Sequence, residues 1–262
     1  MKSFNYHSVK SLKDAKKIAS GKSAFLAGGM TTIPAMKLRL ASYSDIIDIK
    51  KIKELNGIKV SSKSLRIGAT TRHADVAASK EVKKAINSLS NLADGIGDPQ
   101  VRNRGTIGGS IANNDPSADY PSACLALNAT IHTSERKIDA NKFFKGMFET
   151  ALKKGEIITE IEFQVPDKSC YAKFPNPASR YAIVGVYIAK FKNSVNVAIT
   201  GAQSSVYKSK EIEDALQSNF SSSSIDKVKI KSSGLNSDIH ASSNYRAHLI
   251  KILAKRAVTG CK

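Results

Sequence analysis

The sequence has no tryptophan, only three cysteines and few acids: 22 aspartates and glutamates stand against 41 lysines and arginines, a formal charge of +19. Cys124, Cys170 and Cys261 are far apart and form no CxxC pair. Disulfides, structural zinc and an iron–sulfur cluster held by this chain alone are therefore not expected. No window approaches the roughly eighteen uninterrupted apolar residues of a membrane span, and Met1–His7 lacks the apolar stretch of a signal peptide. The expectation is a cytoplasmic protein, its lysine coat compatible at most with peripheral association with a membrane. The positive charge is mostly lysine, scattered singly and in pairs such as Lys16-Lys17, Lys83-Lys84 and Lys153-Lys154. Neither an RNA-module aromatic signature nor zinc-finger spacing accompanies it, so nucleic acid is not an expected partner.

What is present is glycine in two special places. The run from Gly97 to Asp119 is dense in glycines, short amides and hydroxyls, with Arg102 and Arg104 near its start and Thr106-Ile107-Gly108-Gly109-Ser110 at its centre. Such a run is expected to lie outside the core. Glycines permit positive φ and close approach of a ligand, so that successive N–H groups can converge on an anion. A second double glycine, Ala27-Gly28-Gly29-Met30-Thr31-Thr32, follows the apolar run Ala24-Phe25-Leu26. Two separated nests suggest one ligand with two phosphates.

At 262 residues the chain is long enough for two or three compact units. Ser11-Leu12-Lys13-Asp14 resembles a capping box ahead of a helical stripe (Leu12, Ala15, Ile18, Ala19). A strand at 24–26, a helix over 35–40 and a strand at 45–49 imply a βαβ unit with a small parallel sheet, though the glycine spacing is wrong for a GxGxxG fingerprint. Further on, the pattern predicts a strand at 65–69, helices from 70 or 71 to 78 and over 82–93, a helix over 120–127 and strands at 129–133 and 157–165. Pro166-Asp167-Lys168 reads as a linker. Beyond it, strands at 182–189 and 195–202, a helix at 211–216 and a closing helix over 244–258 predict a small α+β unit.

Ala27-Gly28-Gly29 with Pro34, Met36 and Lys37, the run Gln100 to Asn113 with Pro116 and Asp119, Gly146-Met147-Phe148-Glu149-Thr150 and Tyr245 to Leu249 together resemble the flavin-binding medium subunit of molybdenum hydroxylases. The likeness is to the aerobic carbon monoxide dehydrogenase type, with the FAD domain of xanthine dehydrogenase more distant. The resemblance implies an α+β fold: a two-part FAD-binding domain, with a small βαβ parallel-sheet lobe (1–55) and a larger mixed or antiparallel lobe (56–167), then a small α+β C-terminal domain (168–262). It implies noncovalent FAD and no molybdenum or cluster ligands on this chain. It also implies two partners, a large molybdenum-cofactor subunit and a small [2Fe–2S] subunit, in a dimer of heterotrimers. Electrons would pass from molybdenum through the clusters to FAD and on to quinone, dioxygen or a nicotinamide.

By the family pattern, Ala27, Gly28, Gly29, Met30 and Thr31, together with Thr106, Ile107, Gly108, Gly109 and Ser110, hold the pyrophosphate. Asn113 belongs to the same site, Asp119 holds ribityl or ribose hydroxyls, and Tyr181 lies over one face of the isoalloxazine. Two positions depart from many relatives. Met30 stands where they carry a polar residue and Ser110 where they carry asparagine or aspartate, so contact at Met30 should come from the main chain. The cysteine-rich insertion of relatives that reduce aromatic acyl thioesters is missing. The sequence leaves open which of Arg102 and Arg104 faces the cofactor, and whether Asp119 instead caps the helix starting at Tyr120. His73 reads as a helix-surface residue and Cys124 as a small buried hydrophobe. A self-contained FAD oxidase or dehydrogenase of small alcohols or aldehydes is the alternative, and a cofactor-free anion-binding scaffold the third reading.

Overall fold

The computed structural model describes residues 1–261. Its first unit is built from β1 (Asn5–Ser8), α1 (Leu12–Ile18), β2 (Ser23–Leu26), α2 (Thr32–Lys37) and β3 (Asp45–Asp48). The strands run parallel in the order β1-β3-β2, as the βαβ pattern requires. Ser11 caps α1 by accepting the Asp14 N–H at 3.1 Å. Polar, largely exposed β1 carries no apolar alternation, and for that reason its strand is not legible in the sequence.

The second unit opens with β4 (Ile58–Val60) and β5 (Ser64–Gly68). Six helices follow: α3 (His73–Ala78), α4 (Lys80–Ala85), α5 (Asn87–Asp94), α6 (Pro99–Arg102), α7 (Ile107–Asn113) and α8 (Tyr120–Ala126). Then come β6 (Thr130–Thr133), β7 (Lys137–Asp139), α9 (Ala140–Phe143), the hairpin β8 (Phe144–Gly146) and β9 (Glu149–Thr150), and β10 (Ile158–Gln164). The main sheet is antiparallel, in the order β4-β5-β10-β6-β7. Leu65, Ile67, Ile131, Ile161 and Phe163 on the sheet pack with Leu89, Ile107, Ile111 and Tyr120 of the helices, all fully buried. The helix expected over 82–93 is broken at Ile86, whose φ of −146° and ψ of 79° leave the helical region.

The glycine-rich run does not stay outside the core. Its centre is α7, with Ile107 and Ile111 buried on one side. Glycine allows this, since a Cβ on Gly108 would fall 2.5 Å from Ala69 Cβ and 2.7 Å from Ala69 O. The helix thus lies against the end of β5 at a distance no larger residue tolerates.

The third unit comprises β11 (Lys168–Pro175), β12 (Ala182–Phe191), β13 (Ser194–Thr200), β14 (Tyr207–Lys208), α10 (Lys210–Ser218), a 3₁₀ turn (Ser222–Lys227) and α11 (Ser243–Gly260). Its antiparallel sheet runs β11-β12-β13-β14. One face, with Val184, Val186 and Ile188, packs on Ile250, Leu253 and Ala257 of α11. The other sends Tyr187, Ala189 and Ala198 into the core of the second unit. The expected linker at Pro166–Lys168 is therefore corrected: Asp167 N–H already donates to Lys190 O at 2.9 Å, and Lys168 begins β11.

Candidate functional site

A cavity of about 510 Å³ opens where the first unit, the helices of the second and the 179–181 loop meet. That volume falls within the ordinary range of small-molecule and cofactor sites, roughly 300–1,000 Å³. Ala27, Gly28, Gly29, Met30, Thr31, Thr106, Gly108, Gly109, Ser110, Asn113, Asp119 and Tyr181 all line it. Ile107 does not, because its side chain is in the core.

The two double glycines differ in kind. From Gly28 to Thr32, none of the five successive amides donates to any group among the described residues. Gly29 sits at φ +78°, a value that turns the chain so that α2 can start. Five unspent N–H groups at the head of a helix are an anion cradle. In the second loop every amide from 107 to 110 is already used. Ile107 donates to Thr71 O at 3.1 Å, Gly108 to Ala69 O at 2.9 Å, Gly109 to Thr106 Oγ1 at 3.2 Å and Ser110 to Thr106 O at 3.0 Å. The expectation that these N–H groups converge on an anion is corrected accordingly. What the second loop offers the cavity is the bare backbone face at exposed Gly109 and the side chains of Ser110 and Asn113, neither of which is hydrogen-bonded among the described residues. The loops touch at Gly28, where a Cβ would run into the Arg104 carbonyl and Gly105 Cα.

Neither candidate arginine lines the cavity. Arg102 donates to the carbonyls of Ile96 (3.1 Å) and Gly97 (3.0 Å), bracing that turn, and Arg104 is exposed. The cation that does line the cavity is Arg180, a non-glycine residue at φ +62° whose Nη1 reaches Gly97 O at 3.3 Å. Asp119 is 4% exposed and caps no amide of α8. Its carboxylate instead accepts the Tyr171 hydroxyl and, at 3.1 Å, the Lys173 ammonium. Burial pushes this carboxyl up, while Lys173 and Tyr171 pull the other way. Lys173 has two further acceptors, Gly95 O at 2.8 Å and Arg180 O at 3.0 Å. A single ammonium thus ties together the end of α5, the start of α8 and the loop that carries Tyr181.

His73 is another correction. It lies 5% exposed against the cavity, its ring centroid 5.4 Å from that of Tyr120. Burial, with the Arg102 charge behind it, lowers its pKa to about 4. It is therefore a neutral imidazole at pH 7. Glu156 also lines the cavity. Burial alone would raise it, but Arg136, the Lys153 N–H and the Thr133 hydroxyl outweigh burial and bring its pKa to about 2. Sequence reasoning missed His73, Glu156 and Arg180. Only the positive φ of Arg180 departs from the ordinary, and a sequence does not display it.

The family described as the FAD binding domain in molybdopterin dehydrogenase matches residues 2–167. The glyceraldehyde dehydrogenase medium chain of Sulfolobus acidocaldarius is 37% identical over 271 residues, covering 97% of this chain and 96% of its own length. The carbon monoxide dehydrogenase medium chain of Hydrogenophaga pseudoflava is 35% identical over 205 residues, 74% of this chain and 71% of its own. A solved structure of carbon monoxide dehydrogenase from Hydrogenophaga pseudoflava, one lacking the Mo-pyranopterin moiety of its cofactor, superposes with a TM-score of 0.89 at 30% identity, covering 98% of this chain and 96% of that one. The cradle at Gly28–Thr32 and the cavity beside it fit a dinucleotide, and the chain belongs to the FAD-binding domain family of molybdopterin dehydrogenases, as a flavoprotein subunit of an oxidoreductase.

Proposed function

We propose that this chain is the electron-transfer subunit of a molybdenum-containing hydroxylase or dehydrogenase. It takes electrons from the [2Fe–2S] clusters of a small subunit, fed by a large molybdenum-cofactor subunit, and passes them to an external acceptor. The assembly is a dimer of heterotrimers. The observation that carries this reading is the run of five free amides at the head of α2, facing a cavity of cofactor size. When bound, FAD supplies the ability to accept electrons singly and release them singly or in pairs. The chain's own residues bind and orient. Ala27 to Thr31 hold the pyrophosphate by main chain, Met30 included. Thr106, Gly108, Gly109, Ser110 and Asn113 form the facing wall, Asp119 meets ribityl or ribose hydroxyls, and Tyr181 covers the ring. Ile107 acts only through the core.

Two measurements test this. FAD should stabilise the chain by about 2.7 kcal/mol at a hundredfold excess over its dissociation constant, well above what FMN achieves at the same concentration; equal stabilisation by both would count against a two-phosphate site. The isolated FAD-loaded chain should reduce no dye with an aldehyde, an alcohol, a purine or carbon monoxide. Sustained substrate-dependent reduction would sink the subunit reading and favour a self-contained oxidase.

A further inference from the structure

The β8–β9 hairpin carries the most exposed large apolar side chains of the second unit. Met147 and Phe148, at its tip, are 56% and 58% exposed. Phe148 also sits at φ +55°, where a bulky residue is a genuine outlier. One buried residue enforces this arrangement. The Asn114 side-chain amide donates to Gly146 O and Glu149 O, each at 2.8 Å, while its backbone carbonyl accepts the Phe148 N–H at 3.1 Å. Asn114 is itself left-handed, at φ 43°, as the C-cap of α7. One strained residue, Phe148, and three hydrogen bonds with an asparagine at ease in the left-handed region therefore keep an aromatic side chain in water. Strain of this kind persists where surrounding structure over-determines it, and it clusters at functional positions.

The surroundings indicate what covers the tip. Lys142 and Lys145 on the way into the hairpin and Lys153 and Lys154 on the way out are exposed, against two exposed acids, Asp139 and Glu149. An apolar tip flanked in the chain by exposed lysines fits a pocket with an acidic rim. The tip is also close to the cofactor cavity. The seven residues of α7 span about 10 Å, and the helix lines the cavity from Gly108 to Asn113, as do Leu152 and Glu156–Ile158 just after the hairpin.

Electron transfer weakens steeply with distance, so a donor must dock near the flavin. We infer that Met147 and Phe148 are the docking point for the small [2Fe–2S] subunit, which receives them in an apolar pocket edged with acidic side chains. This inference rests on the electron-transfer reading above.

Phe148→Gly is the discriminating variant, because glycine is at ease at φ +55°. It should keep or exceed wild-type thermal stability and keep its FAD content. Its affinity for the purified, cluster-loaded small subunit should fall roughly thirtyfold, the size of a hot-spot truncation. Lys145→Glu with Lys153→Glu should weaken the same association and flatten its salt dependence. Wild-type affinity in Phe148→Gly overturns the inference, as does a loss confined to the molybdenum subunit or to self-association. Phe148-dependent binding by a wild-type chain that takes up no FAD would instead overturn the flavin reading and leave the docking surface standing. No affinity of the wild-type chain for the small subunit would overturn both.

Discussion

At the scale of single residues, the site depends on donors that are free and donors that are spent. Lys173 has three acceptors, Gly95 O, Asp119 Oδ2 and Arg180 O, and sits almost wholly out of water. Lys173→Met leaves the Asp119 carboxylate buried beside only a tyrosine hydroxyl, and breaking a buried pair from one side destabilises by about 3–5 kcal/mol. Lys173→Met with Asp119→Asn should recover much of that, because no charge is then stranded; additive losses in urea unfolding would refute the pairing. Gly29 gives a test of the free amides. Its φ of +78° tolerates asparagine and aspartate better than other side chains, so Gly29→Asn and Gly29→Asp share one steric penalty. The aspartate adds a charge against phosphate, worth on the order of 4 kcal/mol at 4 Å and an effective dielectric near 20. FAD titrations should show Gly29→Asp binding at least tenfold more weakly than Gly29→Asn, and equal affinities would remove the phosphate from that turn. The glycine–hydroxyl pattern made Gly28–Gly29 legible in the sequence. His73 was not, because its burial is decided by Gly105 and Tyr120, which are distant in the chain.

At the scale of elements, legibility followed side-chain periodicity and failed where backbone closeness mattered. The closing helix α11 could be read from Leu249, Leu253 and Ala257, which are buried as a stripe. The βαβ unit was equally plain. Residues 107–113 have few large apolar side chains, so composition places them outside the core, yet they form a helix held against Ala69. β11 alternates poorly, with lysines at both ends of Lys168 to Lys173 and mostly intermediate burial, so no strand is legible there until β12 is beside it, and the linker expected at 166–168 overlaps only its first residue. The double glycine Gly108-Gly109 thus lines the cavity with its amides spent inside the chain, and Gly108 serves helix-to-strand packing. Gly108→Ala should destabilise by about 1–3 kcal/mol, as overpacking does. Ala69→Gly in the same chain should restore part of the loss by removing the nearest atom, though Ala69 O remains 2.7 Å away. A Gly108→Ala protein as stable as wild type would show that α7 stands further from β5 than described.

For the whole molecule, charge is distributed unevenly. No lysine occurs between Lys84 and Lys137, the span that carries α5 to α8 and much of the cavity wall, so the basic surface surrounds the site without filling it. The buried titratable groups of the site couple its integrity to acid. His73 has a folded pKa of about 4 against an ordinary 6.5, so the unfolded chain binds its proton first. Its contribution is fully present above pH 6.5 and is lost as pH falls towards 4, by about 3 kcal/mol in all. Glu156, held at about 2 against 4.5, acts in the same direction in a lower window, its contribution lost between pH 4.5 and 2. Asp115 and Asp119, raised by burial, act oppositely, since the folded chain takes up their protons more readily. The total curve mixes these signs, and a difference measurement separates them. The stability gap between wild type and His73→Gln should be constant above pH 6.5 and should shift by about 3 kcal/mol against wild type between pH 6.5 and 4. Urea denaturation at several pH values reads that gap. A gap that does not change across the window would mean that His73 is charged or solvated in the folded protein, and would remove a neutral imidazole from the cavity wall.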